Sequence, residues 1–376
     1  MPIIGYRDTS SLVNTGAQDA TVLRQFALRD GVTYDRVVAE LEVAIRGLNG
    51  EFARHPLWRS LLTFQNEPAL DSYGVGGGSG YADRMPEYGK PVPQHGETTG
   101  HMLPLQPWQA AMGWTWLKLK DMSMSEARDD ISIAIDRMRN RYREQIFRRL
   151  LKRGDDSGKA KGLGTAGYSP GFATAAANTA VDYIPASFGG VDFTDAHEHY
   201  VAASGGWTTA ILDDAEAELM EHGLTSPYRA LVSTTDAPTI TGLTGFVKAG
   251  TAVIQQGSGV AVALAEPEAD AVDDGFRFLG SYGNTRFYAT PGMPQHYGFW
   301  YKPFPSLSPK NPLRMRLEAP YEQPTARALI DPQGGSGTNP LQDLILYMEF
   351  GVGVANRLNG TARYVNNATW ADGTAI

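Results

Sequence analysis

The stretch Ser123 to Gly154, SMSEARDDISIAIDRMRNRYREQIFRRLLKRG, decides how the rest of the chain is read. Ser123 stands where it can cap a first turn, and Glu126, three residues on, can reach back to the cap residue's amide, which is the capping-box arrangement. Gly154 supplies a stop. Between them Ile131, Ile135, Met138, Tyr142, Ile146 and Leu150 recur at steps of three or four, and Phe147 and Leu151 widen the stripe, so one face must pack against something. The other face is charged and sorted by sign. Glu126, Asp129, Asp130 and Asp136 stand against Arg128 in the first half, and eight bases from Arg137 to Arg153 stand against Glu144 in the second. Acids at the start and bases at the end match the helix dipole. A helix over 123–153 would be ~45 Å long at ~1.5 Å per residue, more than a small enzyme core needs, so the element reads as architectural.

The bulk composition sets the frame around it. The 376 residues carry a formal net charge of -8, 42% hydrophobic and 20% charged residues, which is ordinary for a globular chain long enough for two or three packed units. Gly 42 and Pro 23 together predict long loops. With Cys 0, a disulfide framework, a thiol nucleophile and a thiolate metal site are all excluded. No apolar run follows a basic start and no stretch of 18 apolar residues occurs, so neither a signal peptide nor a membrane span is expected and a cytoplasmic origin is. The acidic balance disfavours nucleic-acid binding over the whole surface, although the bases of Arg137 to Arg153 could face phosphates; a solvated helix end is the plainer reading.

Two helical patterns open the chain, Ala17 to Leu28 and Thr33 to Phe52, the second with Val37, Val38, Leu41, Ile45, Leu48 and Phe52 on one side and Pro56 closing it. Between Asn66 and Pro107 the composition turns glycine- and proline-rich, beginning with YGVGGGSG at Tyr73 to Gly80. A loop of that length suggests an extended arm whose scattered Tyr81, Met85, Tyr88 and Met102 find partners elsewhere. Gly113 to Leu119 alternates as a strand. After the long helix, Asp155 to Ala180 reads as a mobile connection. A helix is expected over Trp207 to His222, with Ile211, Leu212, Ala215, Leu219 and Met220 inward and Gly223 as its stop, followed by a strand at Tyr228 to Ser233. Gly275 to Thr290 carries a hairpin signal at Gly283-Asn284. Leu313, Met315 and Leu317 alternate with Arg314, Arg316 and Glu318 as a half-exposed strand would. Leu341 to Val354 and Thr361 to Val365 are two further strand-like runs, joined through Asn359-Gly360.

Motifs for chemistry are sparse. Gly76 to Gly78 lack the flanking strand and helix of a phosphate loop, and neither a Gly-Lys-Ser/Thr nor a GxSxG elbow occurs. The adjacent carboxylates Asp129-Asp130, Asp213-Asp214 and Asp273-Asp274 point apart and make no acid/base dyad. Trp114, Trp116, Trp207 and Trp300 read as core or interface anchors. One pattern stands out: in His197-Glu198-His199, alternate residues of an extended strand share a face, so both imidazoles could meet one metal with Asp192, Asp195 or His222 completing the set. Two histidines hydrogen-bonded in or near a sheet is the plainer reading. No catalytic, cofactor-binding or metal residue is therefore assigned, and no cofactor is expected.

Taken in order, the pieces are an N-terminal helical arm, a long Gly/Pro excursion, a very long amphipathic helix, an α+β unit, a loop-rich middle and a returning set of strands. This order, with FTDAHEHYVAASGG, LMEHGLTSPYRALVS, GNTRFYATPGMPQHYGFW, NPLRMRLEAP and EFGVGVANRLNGTARYVNNATW, resembles the major capsid proteins of tailed bacteriophages, the Hong Kong 97 fold family. The resemblance implies an α+β chain that does not act as an enzyme and has an N-terminal arm (1–65), an extended E-loop (66–112), a peripheral domain (113–233) with a spine helix over 123–153, an axial domain with a connecting hairpin (234–312) and C-terminal strands (313–376). It implies self-assembly into hexamers and pentamers of an icosahedral head shell built in the host bacterial cytoplasm around double-stranded DNA held without sequence specificity. A portal and a separate scaffolding protein are implied partners, since few residues precede the first helix, and a decoration protein is compatible with the shell; no membrane is involved. Tyr81, Met85, Tyr88, Met102, Arg137, Arg148 and Arg149 are the candidate assembly residues. Some relatives join a lysine of the arm to an asparagine of a neighbour beside a carboxylate, for which Lys90, Asn356 (or Asn366 and Asn367) and Glu349 are the candidates. Two alternatives stay open: an encapsulin-like compartment enclosing a cargo protein, and a metal-dependent enzyme built on His197 and His199.

Overall fold

The computed structural model describes residues 28–65, 70–75, 97–115, 118, 121–154, 156–160, 164–168, 171–173, 193, 197–249, 276–331 and 341–373. In chain order, helices α1 (Tyr34–Arg54) and α2 (Pro56–Leu61) lead into strands β1 (Leu62–Gln65), β2 (Leu70–Val75), β3 (Glu97–Met102) and β4 (Gln106–Thr115). The long helix α3 (Met124–Leu151) follows, then β5 (Asp156–Ala160), β6 (Gly164–Tyr168), β7 (Tyr200–Ala202), α4 (Thr209–Glu221), β8 (Tyr228–Ser233), α5 (Ala237–Thr241) and β9 (Val247–Lys248). Seven strands finish the chain: β10 (Arg277–Tyr282), β11 (Thr285–Thr290), β12 (Tyr297–Tyr301), β13 (Leu313–Leu317), β14 (Arg327–Asp331), β15 (Leu341–Val354) and β16 (Thr361–Tyr364). The chain divides into two compact units, one from Met1–Arg54, Leu105–Arg143 and Leu317–Phe350, the other from His55–Pro104, Glu144–Arg316 and Gly351–Ile376.

The long helix is where the sequence put it, and its start is the expected capping box. The Ser123 amide donates to Glu126 Oε2 at 2.6 Å, and the Glu126 amide donates to Ser123 Oγ at 3.4 Å. The Ser123 amide first, and then the Ser123 hydroxyl, which donates to the same oxygen at 3.1 Å, hold the Glu126 carboxyl below its usual range. Its contribution is therefore present above the unfolded carboxylate value and fades as pH falls through the lower folded one. Ser123→Ala is expected to lower the stability of the folded chain by about 1 kcal/mol, read from chemical denaturation, because it removes the acceptor for one orphan amide of the first turn. Every member of the apolar stripe, Ile131, Ile135, Met138, Tyr142, Ile146, Phe147, Leu150 and Leu151, is buried.

In the first unit α1 buries Val37, Val38, Leu41, Ile45, Leu48 and Phe52, and Phe52 stacks on Tyr142 of α3 at 4.1 Å. The charged faces of the two helices are tied as well: Arg139 donates to both oxygens of Glu51 at 2.8 Å, and Arg128 to Glu40 at 3.0 Å. Bidentate pairing of this kind fixes helix register as well as adding attraction. β15 pairs antiparallel with β4, Leu346 opposite Ala110, and with β14, Leu346 opposite Ala328.

The second unit is built on a seven-stranded sheet in the order β7-β16-β12-β8-β11-β10-β9. β8 lies parallel to β11 and antiparallel to β12, and β16 lies parallel to β7. Its core gathers Leu212, Ala215 and Leu219 of α4 with Ala230, Val232, Phe287 and Trp300 of the strands. The β10-β11 hairpin turns at Gly283, whose φ of 54° suits a two-residue turn.

Several expectations are corrected. The strand expected at Gly113 to Leu119 is β4, running Gln106–Thr115. The connection expected after the long helix carries a hairpin, β5 paired with β6, Gly158 opposite Ala166. Met220 is 55% exposed, because it falls one position past the stripe of Leu212, Ala215 and Leu219, and Glu218 is buried in its stead. β13 is buried at Arg314 as well as at Leu313 and Met315, since it lies beside β1 within the fold. The two runs joined through Asn359-Gly360 are strands as expected, β15 pairing with β4 and β14 and β16 with β12 and β7. The helix expected over Ala17 to Leu28 lies, but for Leu28, outside the described residues.

Candidate functional site

Three imidazoles converge in the second unit. His197 and His199 sit two apart on the extended chain leading into β7, so their side chains share a side. His222 follows the last turn of α4, whose start is capped by Thr208 Oγ1 accepting from Ile211 N at 3.4 Å, and Gly223, with φ 75°, ends it. The Nε2 atoms of His197 and His222 lie 3.0 Å apart, those of His197 and His199 2.9 Å, and those of His199 and His222 2.8 Å. Phe193 covers the group, its ring 4.6 Å from His222 and 4.8 Å from His197.

The surroundings fix the chemistry of the rings. His199 Nδ1 lies 2.6 Å from the carbonyl oxygen of Gly360, which can only accept, so this nitrogen carries the proton. The close approach depends on glycine: a Cβ at position 360 would lie 2.5 Å from Phe172 and 2.6 Å from Phe299. Burial, then the neighbouring His197, pulls His199 down to about 3. Burial, then His199 and His197, does the same to His222, also to about 3. His197 is lowered, chiefly by burial. All three rings are therefore neutral near pH 7.

Two carboxylates complete the neighbourhood. Glu221 Oε1 is 3.5 Å from His197 Nδ1 and 3.8 Å from His222 Nε2, and burial raises this carboxyl above its usual range. Glu218 uses Oε2 to accept from Thr361 Oγ1 at 2.8 Å and from the guanidinium of Arg363, which also reaches Asp214 Oδ2 at 3.0 Å. Its other oxygen, Oε1, accepts no hydrogen bond among the described residues and lies 4.0 Å from His199 Nε2. The sequence reading of two histidines hydrogen-bonded in a sheet holds for His199 Nδ1 but leaves the three facing Nε2 atoms unexplained. Of the partners it named, His222 is present, while Asp192 and Asp195 lie outside the described residues. Glu218 was missed, because a glutamate inside a helix reads as solvated; its place in the i, i+3, i+7 row with Ala215 and Arg363's alternate position on β16 were the available signals.

The assembly candidates are distributed differently. Tyr81, Met85, Tyr88 and Lys90 lie outside the described residues, and Met102 ends β3, opposite Leu70 of β2. Arg137 is exposed and Arg148 half-buried. Arg149 is corrected: it is 1% exposed and its Nη2 donates to the carbonyls of Lys152 at 2.6 Å and Gly154 at 3.1 Å, capping its own helix. A buried guanidinium so employed is a group of the chain's interior, not of its surface. Other bases of the helix's second half are also engaged within the chain, Arg139 on Glu51, Arg141 over the Trp108 ring at 4.7 Å and Arg153 on Glu198. Glu349 is buried and accepts from the Tyr347 hydroxyl, and Asn356 Nδ2 donates to the Lys310 carbonyl at 3.3 Å.

No protein-family model and no curated protein matches the chain. Among solved structures, a chain of Mycobacterium phage Patience superposes with a TM-score of 0.61 at 16% identity, over 93% of this chain and 92% of that one. The mature capsid of bacteriophage PhiM1 (TM-score 0.47, 11% identity, 83% and 87% covered) and the holo-SrpI encapsulin complex of Synechococcus elongatus PCC 7942 (0.44, 10%, 84% and 89%) are similar more loosely. The α+β fold expected from the order of elements, that of the Hong Kong 97 family, is the fold of this chain.

Proposed function

We propose that this chain is the major capsid protein of a tailed double-stranded DNA phage and assembles with copies of itself, as hexamers and pentamers, into an icosahedral head. The observation that carries the reading is the fold it shares, over 93% of its length, with a protein of Mycobacterium phage Patience. The long helix supports it, because a 28-residue rod joined to an adjacent helix by a bidentate ion pair is scaffolding for contacts rather than a frame for a cleft. In this reading the segment 66–112 is an E-loop lying across a neighbour, 113–233 a peripheral domain, 234–312 an axial domain and 313–376 the returning strands. Subunits arranged this way draw much of their stability from symmetric contacts. A portal, a scaffolding protein and the packaged DNA are the partners that follow, and the head of the virion is the location.

Recombinant protein run on a sucrose gradient tests the assembly: fast-sedimenting particles support it, and material that stays at the position of a small oligomer contradicts it. Charge reversal at the exposed Arg137, Arg137→Glu, is expected to cut particle yield several-fold while moving the chain's Tm by only a few degrees. Surface charges outside the core change stability little, whereas like charges placed at a contact oppose association. Unchanged particle yield would remove this residue from the contact.

A further inference from the structure

We propose that His197, His199 and His222 bind a zinc-class divalent cation through their Nε2 atoms, with Glu218 Oε1 as the fourth ligand, as a structural clamp inside the subunit. The argument begins with proton accounting. A neutral imidazole has one N–H and one in-plane lone pair. His199 spends its proton on Gly360, so its Nε2 presents only the lone pair. If His197 and His222 both carried Nε2–H, those two protons would face each other across 3.0 Å and share one acceptor. If either lacked it, its lone pair would face that of His199 at 2.8 or 2.9 Å. No assignment of protons satisfies all three contacts. A cation at the point of convergence satisfies them together, since each Nε2 then donates its lone pair to the ion.

Features independent of the triangle point the same way. The Nδ1–H of His199 held by a backbone carbonyl, and Glu221 near Nδ1 of His197, are the supports that orient metal-binding imidazoles and fix their tautomer. Glu218 is nine-tenths buried with one oxygen anchored by Thr361 and Arg363, which turns the unpartnered Oε1 toward His199. Three neutral nitrogens and one carboxylate oxygen form a borderline donor set suited to zinc, cobalt or nickel rather than to calcium or magnesium. With Zn–N at about 2.0–2.1 Å a tetrahedral edge is ~3.3 Å, so the rings would part by a few tenths of an ångström on binding. A site closed by four protein ligands is structural rather than hydrolytic. It joins the segment leading into β7 to the end of α4 in a chain that has Cys 0 and hence no disulfide to do so.

The test uses the untagged full-length protein, stripped with chelator and dialysed against zinc chloride, and needs no assembled particle, so its outcome and that of the shell proposal are separately readable. The expected result is about one zinc per chain by elemental analysis, released on chelation, with a Tm that rises with the logarithm of zinc concentration. His197→Gln, at the half-buried ligand, is expected to lose this zinc-dependent rise while keeping the chelated protein's Tm within a few degrees. If that variant does not fold, the cobalt(II) form of the unaltered protein decides: intense ligand-field bands of a tetrahedral site support the proposal, and the weak spectrum of the hydrated ion overturns it. Unaltered protein that holds no stoichiometric zinc and melts identically in zinc and in chelator also overturns it.

Discussion

Arg363→Ala is expected to destabilise the folded subunit by about 3–5 kcal/mol, the cost of breaking a buried ion pair from one side. Arg363 is 2% exposed; one Nη reaches Thr361 Oγ1 at 2.7 Å, and the other reaches the Glu218 carboxylate and Asp214 at 3.0 Å. Removing the guanidinium leaves the Glu218 charge buried with Thr361 as its remaining donor. The loss should be read as a shift in the urea midpoint with an unchanged slope. It should appear both in zinc and in chelator, because the pair exists without any ion. A companion double replacement, Arg363→Met with Glu218→Leu, should recover much of the loss, since exchanging a buried pair for apolar groups of similar volume is often neutral. It should also abolish zinc uptake, having removed the carboxylate ligand. A single variant within ~1 kcal/mol of the parent would mean that solvent reaches the pair and screens it.

Trp300→Ala is expected to cost a similar ~3–5 kcal/mol, for a different reason. Trp300 is fully buried on β12, with its ring 5.9 Å from both Trp207 and Phe287, and Gly298 is held to glycine because a Cβ there would lie 2.6 Å from the Trp300 ring. Truncation opens a cavity at the centre of the sheet's core, where surrounding strands can close in only partly. Trp300→Phe is the discriminating comparison. The indole Nε1 has no hydrogen-bond partner among the described residues, so phenylalanine removes a buried donor along with volume and should cost less than half as much. Equal losses from the two variants would show that shape, not the unmet donor or the cavity, governs this position.

Much of the architecture was legible because it rests on period and punctuation. The stripe from Ile131 to Leu151, the capping pair Ser123 and Glu126 and the turn at Gly283-Asn284 each follow from local rules that tertiary packing did not override. Residues whose polarity and burial disagree were not legible. Arg149 and Arg314 read as solvated bases and are buried, one capping its own helix and one in a strand flanked within the fold. Glu218 reads as a surface acid and lies in the core because Arg363, 145 residues later, meets it there. Alternation placed His197 and His199 on one side of the chain, but only the folded geometry shows their nitrogens meeting His222 at a single point.

The most direct test of the central claim is electron cryomicroscopy of the purified protein, together with nuclease protection of any particles it forms. The account predicts closed icosahedral shells of several hundred ångström, with each subunit's α3 in the shell wall and the 66–112 segment crossing onto a neighbour, and double-stranded DNA that survives nuclease inside. Shells that enclose a protein cargo and no DNA would contradict the phage-head reading, and a small soluble oligomer would contradict a shell of any kind.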